Sequence, residues 1–268
     1  MFPRFFNFTD RMNFLELTLF FVGCFLVYIL LGVLVLGKIW KPEFREKNND
    51  IVAGFSVILG IIFAVIVGSV IVAAWGYQDI ADKVSTTEAD AVGDLFQMAP
   101  NTGLVESQRI KPVLIAYAEN VIEVEWPLMR KSIKPVSGWN YLIEIQNIIT
   151  NLVPSNVKES ILLNNMQTKM SELLDARRKR IQSSLNNIPF VIYTLIFFIS
   201  AFLIFFTFFF GISPWTHILF CTSLAILISL CIVVIIALDC PFRTQIRIDP
   251  IEMERVLKLI KSKDTNLL

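Results

Sequence analysis

Histidine and charge are scarce in this 268-residue sequence. His217 is the only histidine, and 18% of residues are Asp, Glu, Lys or Arg. A lone histidine excludes the histidine clusters of most transition-metal sites. The four cysteines, Cys24, Cys221, Cys231 and Cys240, show no C-x-x-C spacing, so neither a zinc site nor a disulfide framework is expected. No G-x-x-x-x-G-K, G-x-G-x-x-G, G-x-S-x-G or H-E-x-x-H string occurs, so no enzyme activity and no cofactor are expected. A net charge of +1 gives no electrostatic footprint for a nucleic-acid partner. The scarcity of charge is uneven, and its gaps carry the first positive information. No Asp, Glu, Lys or Arg occurs from Leu17 to Gly37, from Ile51 to Gln78, or from Ile181 to Leu238. A helix needs about 20 mainly apolar residues to cross a bilayer, and the third gap is long enough for two. The sequence therefore reads as an all-α integral membrane protein.

Four spans are expected, at about 14–37, 51–75, 189–211 and 216–238. Gly211, Ile212, Ser213, Pro214 and Trp215 separate the last two and read as a tight turn. Trp75 and Trp215 fall at span ends, where an amphipathic indole prefers to sit. His217, at the start of the fourth span, reads as a polar tip at the same interface. The pairs of spans flank residues 76–186, giving hairpins at 1–75 and 187–242 and a tail at 243–268. Arg4, Arg11, Lys83, Lys169, the Arg177-Arg178-Lys179-Arg180 run and the basic residues after Pro241 would lie on one side, against Lys38, Lys41, Arg45 and Lys47 on the other. That asymmetry places both termini and the middle segment in the cytoplasm. Abundant Phe and Ile suit a bacterial inner membrane.

The middle segment has the composition of a soluble helical bundle. Three-and-four spacing recurs in Ile80, Val84, Thr87, Ala91, Leu95 and Met98, then in Ile110, Val113, Tyr117, Val121, Val124 and Leu128. A third set is Trp139, Leu142, Ile145, Ile149 and Leu152, and a fourth is Val157, Ile161, Met166, Met170 and Leu173. Breaks are signalled at Pro100–Gly103, Lys134–Gly138 and Pro154–Asn156, with a kink or new helix start at Pro189. Nothing between Trp75 and Leu95 would stop the second span from continuing into this domain. Acidic pairs such as Glu123 and Glu125 read as a solvated bundle surface. In the tail only a short amphipathic helix is expected, with fraying from Lys261.

Within the second span, Ser56, Gly60, Ala64 and Gly68 recur every fourth residue, a row of small side chains that lets another helix approach closely. It could pack within the subunit, between subunits, or line a pore. A neighbouring row, Phe55, Leu59, Phe63 and Val67, is the candidate lining of an apolar constriction that gates by dewetting. No span carries an ionisable residue near its centre, which argues against a proton- or cation-coupled carrier. Arg177, Arg178, Lys179 and Arg180 would either meet lipid headgroups or gather anions at a pore mouth.

Several strings together carry a resemblance. They are Asn49-Asp50-Ile51-Val52-Ala53-Gly54 with Gly60, Phe63-Ala64 and Trp75, then Glu125-Trp126-Pro127, Arg177-Arg178-Lys179-Arg180, and Leu238-Asp239-Cys240-Pro241-Phe242. In order and spacing, from about 45 to 250, this set resembles the uncharacterised bestrophin-like family of bacterial and plant membrane proteins. The chain departs at Thr244, where the family's string often has glycine. The resemblance implies a two-plus-two arrangement of spans around a helical cytoplasmic domain, similar to bestrophins, which are pentameric anion channels. It implies structural roles for Asn49, Asp50, Gly54, Trp126, Pro127, Asp239, Pro241 and Phe242. Asp239 is expected to pair with Arg243 or Arg180 rather than to touch a permeating ion. Only Asp239 and Asp249 precede Glu252 after the last span, too sparse for the acidic cluster of calcium-gated bestrophins. The function expected is a homo-oligomeric, chloride-permeable channel in contact with membrane lipid. The rival is a non-conducting scaffold or signal relay whose helical domain recruits a partner.

Overall fold

The computed structural model describes residues 12–39 and 47–265. Arg4, Arg11, Lys41, Arg45 and the end of the tail from Asn266 lie outside the described residues. The helices are α1 (Phe14–Ile39), α2 (Asn49–Asn101), α3 (Ile110–Asn120), α4 (Trp126–Arg130), α5 (Trp139–Asn151), α6 (Val157–Leu185), α7 (Phe190–Thr207), α8 (Pro214–Asp239) and α9 (Ile251–Thr265). A 3₁₀ turn at Val105–Arg109 precedes α3, and a π turn at Val121–Glu125 joins α3 to α4. No strand occurs among the described residues.

The chain divides into two compact units. The first consists of Met1–Gly76, Asn187–Asp239 and Thr244–Ile246, as far as these are described; the second of Tyr77–Asn186, Cys240–Arg243 and Arg247–Leu268. The first unit supplies four segments long and apolar enough to cross a membrane: α1, the first half of α2, α7 and α8. Their side chains are mostly apolar on every side, as lipid requires when no backbone group can turn to water. Leu17, Phe21, Phe25 and Ile29 form the buried stripe of α1, which packs along α8. Tyr28 Oη donates to the Ala201 carbonyl at 3.2 Å. Gly32 lies so close to the buried Phe208 ring that a Cβ there would overlap it. The turn after α7 covers residues 208–213, six residues instead of five, because α7 ends at Thr207 and Pro214 already belongs to α8; a first-turn proline forfeits no helical hydrogen bond. Asn49 clasps this turn, accepting the Gly211 N–H at 2.8 Å and donating to its carbonyl at 3.3 Å.

His217 is not an interfacial tip. It is buried, and its ring Nε2 donates to the Thr207 carbonyl at 2.9 Å, satisfying an acceptor at the open end of α7. Thr244 has a comparable part. Its hydroxyl donates to the Ala237 carbonyl at 2.7 Å and so caps the last turn of α8.

The second unit is a bundle around Leu95, Leu114, Tyr117, Ile145, Met166 and Leu173. Helix breaks fall where Pro and Gly clusters predict them, and α2 continues unbroken from its apolar half to Asn101. Two periodic rows are displaced by one residue over part of their length. On α2 the expected row is off by one at its start, where Ile80 is exposed and Ala81, Ser85 and Glu88 are buried, and it joins the buried face at Ala91 and Leu95, beside Val92 and Ala99. From α3 onward the buried face runs Ile110, Leu114, Tyr117 and Val121, then steps to Glu125 and Met129, leaving Val124 exposed. Pro127 explains the step. It has no N–H for the carbonyl four residues back, and its ring crowds that turn, so the helix widens into the π turn at Val121–Glu125. The tail exceeds expectation: α9 reaches Thr265 and buries Met253 and Ile260 in this unit.

Candidate functional site: a buried ion network and an uncovered span

The extra residue in the π turn carries Glu125 into the core, where it meets Arg177 and Arg180 of α6 and Glu88 of α2. Arg180 Nε donates to Glu88 Oε2 at 2.5 Å and its Nη2 to Glu88 Oε1 at 2.9 Å. The same Nη2 donates to Glu125 Oε2 at 2.6 Å. Arg177 donates to Glu125 Oε1 through Nη2 at 2.6 Å and Nε at 3.2 Å. The Gly138 N–H adds a third donor to that oxygen at 3.1 Å, and a Cβ at position 138 would overlap the Glu125 carboxylate. Tyr117 Oη donates to Glu88 Oε1 at 2.5 Å. Two carboxylates face two guanidiniums, so the network is neutral and its charges are paired through directional bonds.

Burial opposes ionisation of Glu125, but Arg180 and Arg177 outweigh it and hold the carboxyl below the usual carboxylate range. Burial likewise works against the charge on Arg180, yet Glu88 and Glu125 raise its pKa above that of an ordinary arginine. The Tyr117 phenol is pushed well up, first by burial and then by the negative charge of Glu88.

Three of the resemblance strings converge here. The Arg180 guanidinium stacks 5.0 Å above the Trp126 ring. Trp126 meets Phe242 edge-on at 5.5 Å and donates its Nε1 hydrogen to the Ile248 carbonyl at 3.1 Å. Ile248 in turn donates its N–H to the Pro241 carbonyl at 2.8 Å. Trp126, Phe242 and Pro241 thus tie the return of the chain after α8 to the floor of the network. Pro127 is exposed and acts through the π turn.

Several expectations need correction. Arg177 and Arg180 are 4% and 0% exposed and pair with Glu125 and Glu88, so neither is an outward-facing surface charge; only Arg178 and Lys179 of the run face outward. An α-helix turns 100° per residue, so four consecutive basic residues cannot share a face. Glu125 is wholly buried, not part of a solvated surface. The Arg180 guanidinium is taken up by Glu88 and Glu125, while Asp239 Oδ1 accepts the Ile188 N–H at 2.5 Å. That contact holds the extended segment where α6 has ended and Pro189 starts α7. Glu88, Tyr117 and Gly138 were not foreseen. Glu88 was visible only as the sole acid on the buried face of α2, once the one-residue shift is known.

The apolar half of α2 splits both four-residue rows. Phe63 and Val67 are 8% and 4% exposed and pack within the subunit, so they do not line an open constriction. Phe55 stays half-exposed and stacks on Phe206 at 5.0 Å, and Leu59 is half-buried. The small row drifts the opposite way. Ser56 and Gly60 are half-buried, whereas Ala64 and Gly68 are exposed. No atom outside the local helix lies within 4 Å of a Cβ built at Gly54, Gly60 or Gly68, so close packing within the subunit does not account for these glycines. Opposite the packed side, Ile58, Ile62, Val65, Ser69 and Val72 form an uncovered face. Asp50, at the helix start, is exposed. Among the described residues no group of three or more His, Cys, Asp or Glu is placed to hold a metal.

Residues 23–253 match the bestrophin-like domain. No curated protein sequence matches the chain. Two crystal structures of variants of a bacterial bestrophin homologue from Klebsiella pneumoniae superpose with TM-scores of 0.71 and 0.70, at 13% and 15% identity. The matches cover 94% and 91% of this chain and 98% and 99% of theirs. A third structure of a Klebsiella pneumoniae bestrophin homologue has a TM-score of 0.66 at 14% identity, over 89% of this chain and 96% of that one. The domain match spans most of the sequence, the fold agrees over nearly its whole length, and the chain belongs to the bestrophin-like family of membrane proteins.

Proposed function

We propose that identical copies of this chain assemble around an axis lined by α2 and conduct small inorganic anions, chloride among them, across a bacterial inner membrane. By analogy with bestrophins the ring has five subunits, with 76–186 as its cytoplasmic domain and 243–268 as a cytoplasmic tail. The observation that carries this reading is the uncovered side of α2. One face is packed inside the subunit through Phe63 and Val67, the flank at Gly60, Ala64 and Gly68 is open enough for a second copy to approach, and Ile58, Ile62, Val65, Ser69 and Val72 face outward between. An apolar stripe punctuated by a hydroxyl suits a narrow, dewetting pore. The absence of mid-span ionisable residues fits conduction better than coupled transport.

Purified protein in liposomes tests the proposal. Chloride efflux above empty vesicles is expected, together with an oligomeric mass in detergent; no efflux and a monomeric mass would instead establish a non-conducting scaffold. Gly68→Leu should dissociate the oligomer, and Val65→Ala should change unitary conductance. Phe63→Ala should destabilise the subunit by about 3–5 kcal/mol, the usual cost of emptying a buried aromatic site, without widening a pore. A cysteine at the exposed Val136 should resist labelling from outside intact cells.

A further inference from the structure

Beside the ion network the second unit holds a cavity of about 490 Å³, lined among others by Lys134, Trp139, Arg177, Arg178, Ile181 and Leu185. This size lies within the range of small-molecule sites, about 300–1,000 Å³. Its charge is one-signed, since no acidic side chain is among the lining residues. Glu125 lies behind Arg177 and is already neutralised, and the nearest acid to Arg178, Asp175, is 3.7 Å away at the exposed surface. Arg177 is the telling residue. It is 4% exposed, and Nε and Nη2 go to Glu125, while Nη1 has no hydrogen-bond partner among the described residues. A guanidinium nitrogen left over from the pair with Glu125 can give a ligand oxygen a charge-assisted hydrogen bond. The Trp139 ring fixes the two cations, with Arg177 5.8 Å and Arg178 5.6 Å from its centroid. Ile181 and Leu185 add an apolar wall.

We propose that this cavity binds an organic anion, a carboxylate or phosphate carried on an apolar body. The anionic end meets Arg177 Nη1, Arg178 and Lys134, and the apolar part lies against Trp139, Ile181 and Leu185. The proposal is independent of ion conduction.

The test uses the full chain in phosphatidylcholine nanodiscs, titrated with octyl phosphate, with octanol and with inorganic phosphate, and followed by calorimetry. Octyl phosphate should bind saturably at one site per chain, with both controls much weaker. Replacing Lys134 and Arg178 together by alanine should weaken it about tenfold or more, the scale of losing charge-assisted contacts. Both residues are exposed and lie outside the buried network, so this variant should keep the parent's melting midpoint; Lys158→Ala, on the exposed start of α6, should keep parental binding. Trp139→Leu should lose affinity as well. Nanodiscs containing phosphatidylglycerol separate two sources of the same chemistry. Competition with octyl phosphate assigns the site to lipid headgroups, and undiminished binding assigns it to a soluble anion. Equal binding by the double variant, or octanol binding as tightly as octyl phosphate, would overturn the proposal.

Discussion

Glu125→Gln is the sharpest perturbation of the helical unit. The carboxylate takes three N–H donors at Oε1, from Arg177 and Gly138, and a fourth at Oε2 from Arg180. Glutamine has one acceptor oxygen. Whichever way its amide turns, its NH₂ group faces a guanidinium, and the neutral set of two acids and two arginines becomes cationic while still buried. Breaking a buried pair by disabling one partner costs about 3–5 kcal/mol. For a chain of this size that lowers the melting midpoint by about 6–20 °C. Tryptophan fluorescence in detergent suits the assay, because Trp126 and Trp139 both stack on arginines of the network. Glu123→Gln is the control: two residues away and exposed, it should shift the midpoint by only about 2 °C, as surface changes do.

Acid adds an independent arm. The Glu125 pKa is lowered in the folded chain, so at pH values below about 4.3, the ordinary glutamate value, the unfolded chain takes up the proton first. The stability contributed by this carboxylate is therefore whole above that pH and lost as pH falls through the lower folded value. Because Glu125→Gln has nothing to titrate there, its deficit against the parent should shrink on acidification. A variant that melts with Glu123→Gln at neutral pH, or a deficit that stays constant in acid, would refute the assignment of this network as the lock of the bundle.

Other outcomes follow from the same geometry. Tyr117→Phe removes a hydrogen bond to a charged acceptor, so a loss of about 1.5–3 kcal/mol is expected in thermal melts. The raised phenol pKa means that its contribution is intact below about pH 10 and declines above it, and Tyr117→Phe should flatten that alkaline decline. Gly32→Ala should destabilise the apolar unit by about 1–3 kcal/mol through overlap with Phe208, and a second change, Phe208→Leu, should restore part of the loss. Asn49→Ala should cost about 1 kcal/mol for each of its two bonds to Gly211, and hydrogen exchange at Gly211 should quicken.

Much of this molecule was legible in the sequence because its main signals are coarse. Uncharged gaps located the apolar helices, and Pro and Gly clusters located the breaks between α2 and α6. The ordered strings pointed to Trp126, Pro241 and Phe242, which the fold brings to one place. The network itself was hidden. A core arginine and a surface arginine look alike in a basic run, and which one turns inward depends on phase within α6.

Phase is also the common cause of the misplaced rows. A helix repeats every 3.6 residues, so a strict four-residue row drifts about 40° at each step and about 120° over three steps. Phe55, Leu59, Phe63 and Val67 drift from the open flank into the subunit, and Ser56, Gly60, Ala64 and Gly68 drift out of it, in the same sense of rotation. Neither row can form one wall along the whole span. Ile58, Val65 and Val72 are seven residues apart, a spacing whose drift is only about 20° per step and of opposite sign, and all three are more than half exposed. A helix that faces an axis along its length needs the slower drift. Under the proposed function, the heptad-spaced Ile58, Val65 and Val72, not either four-residue row, are the stripe on which conductance should depend.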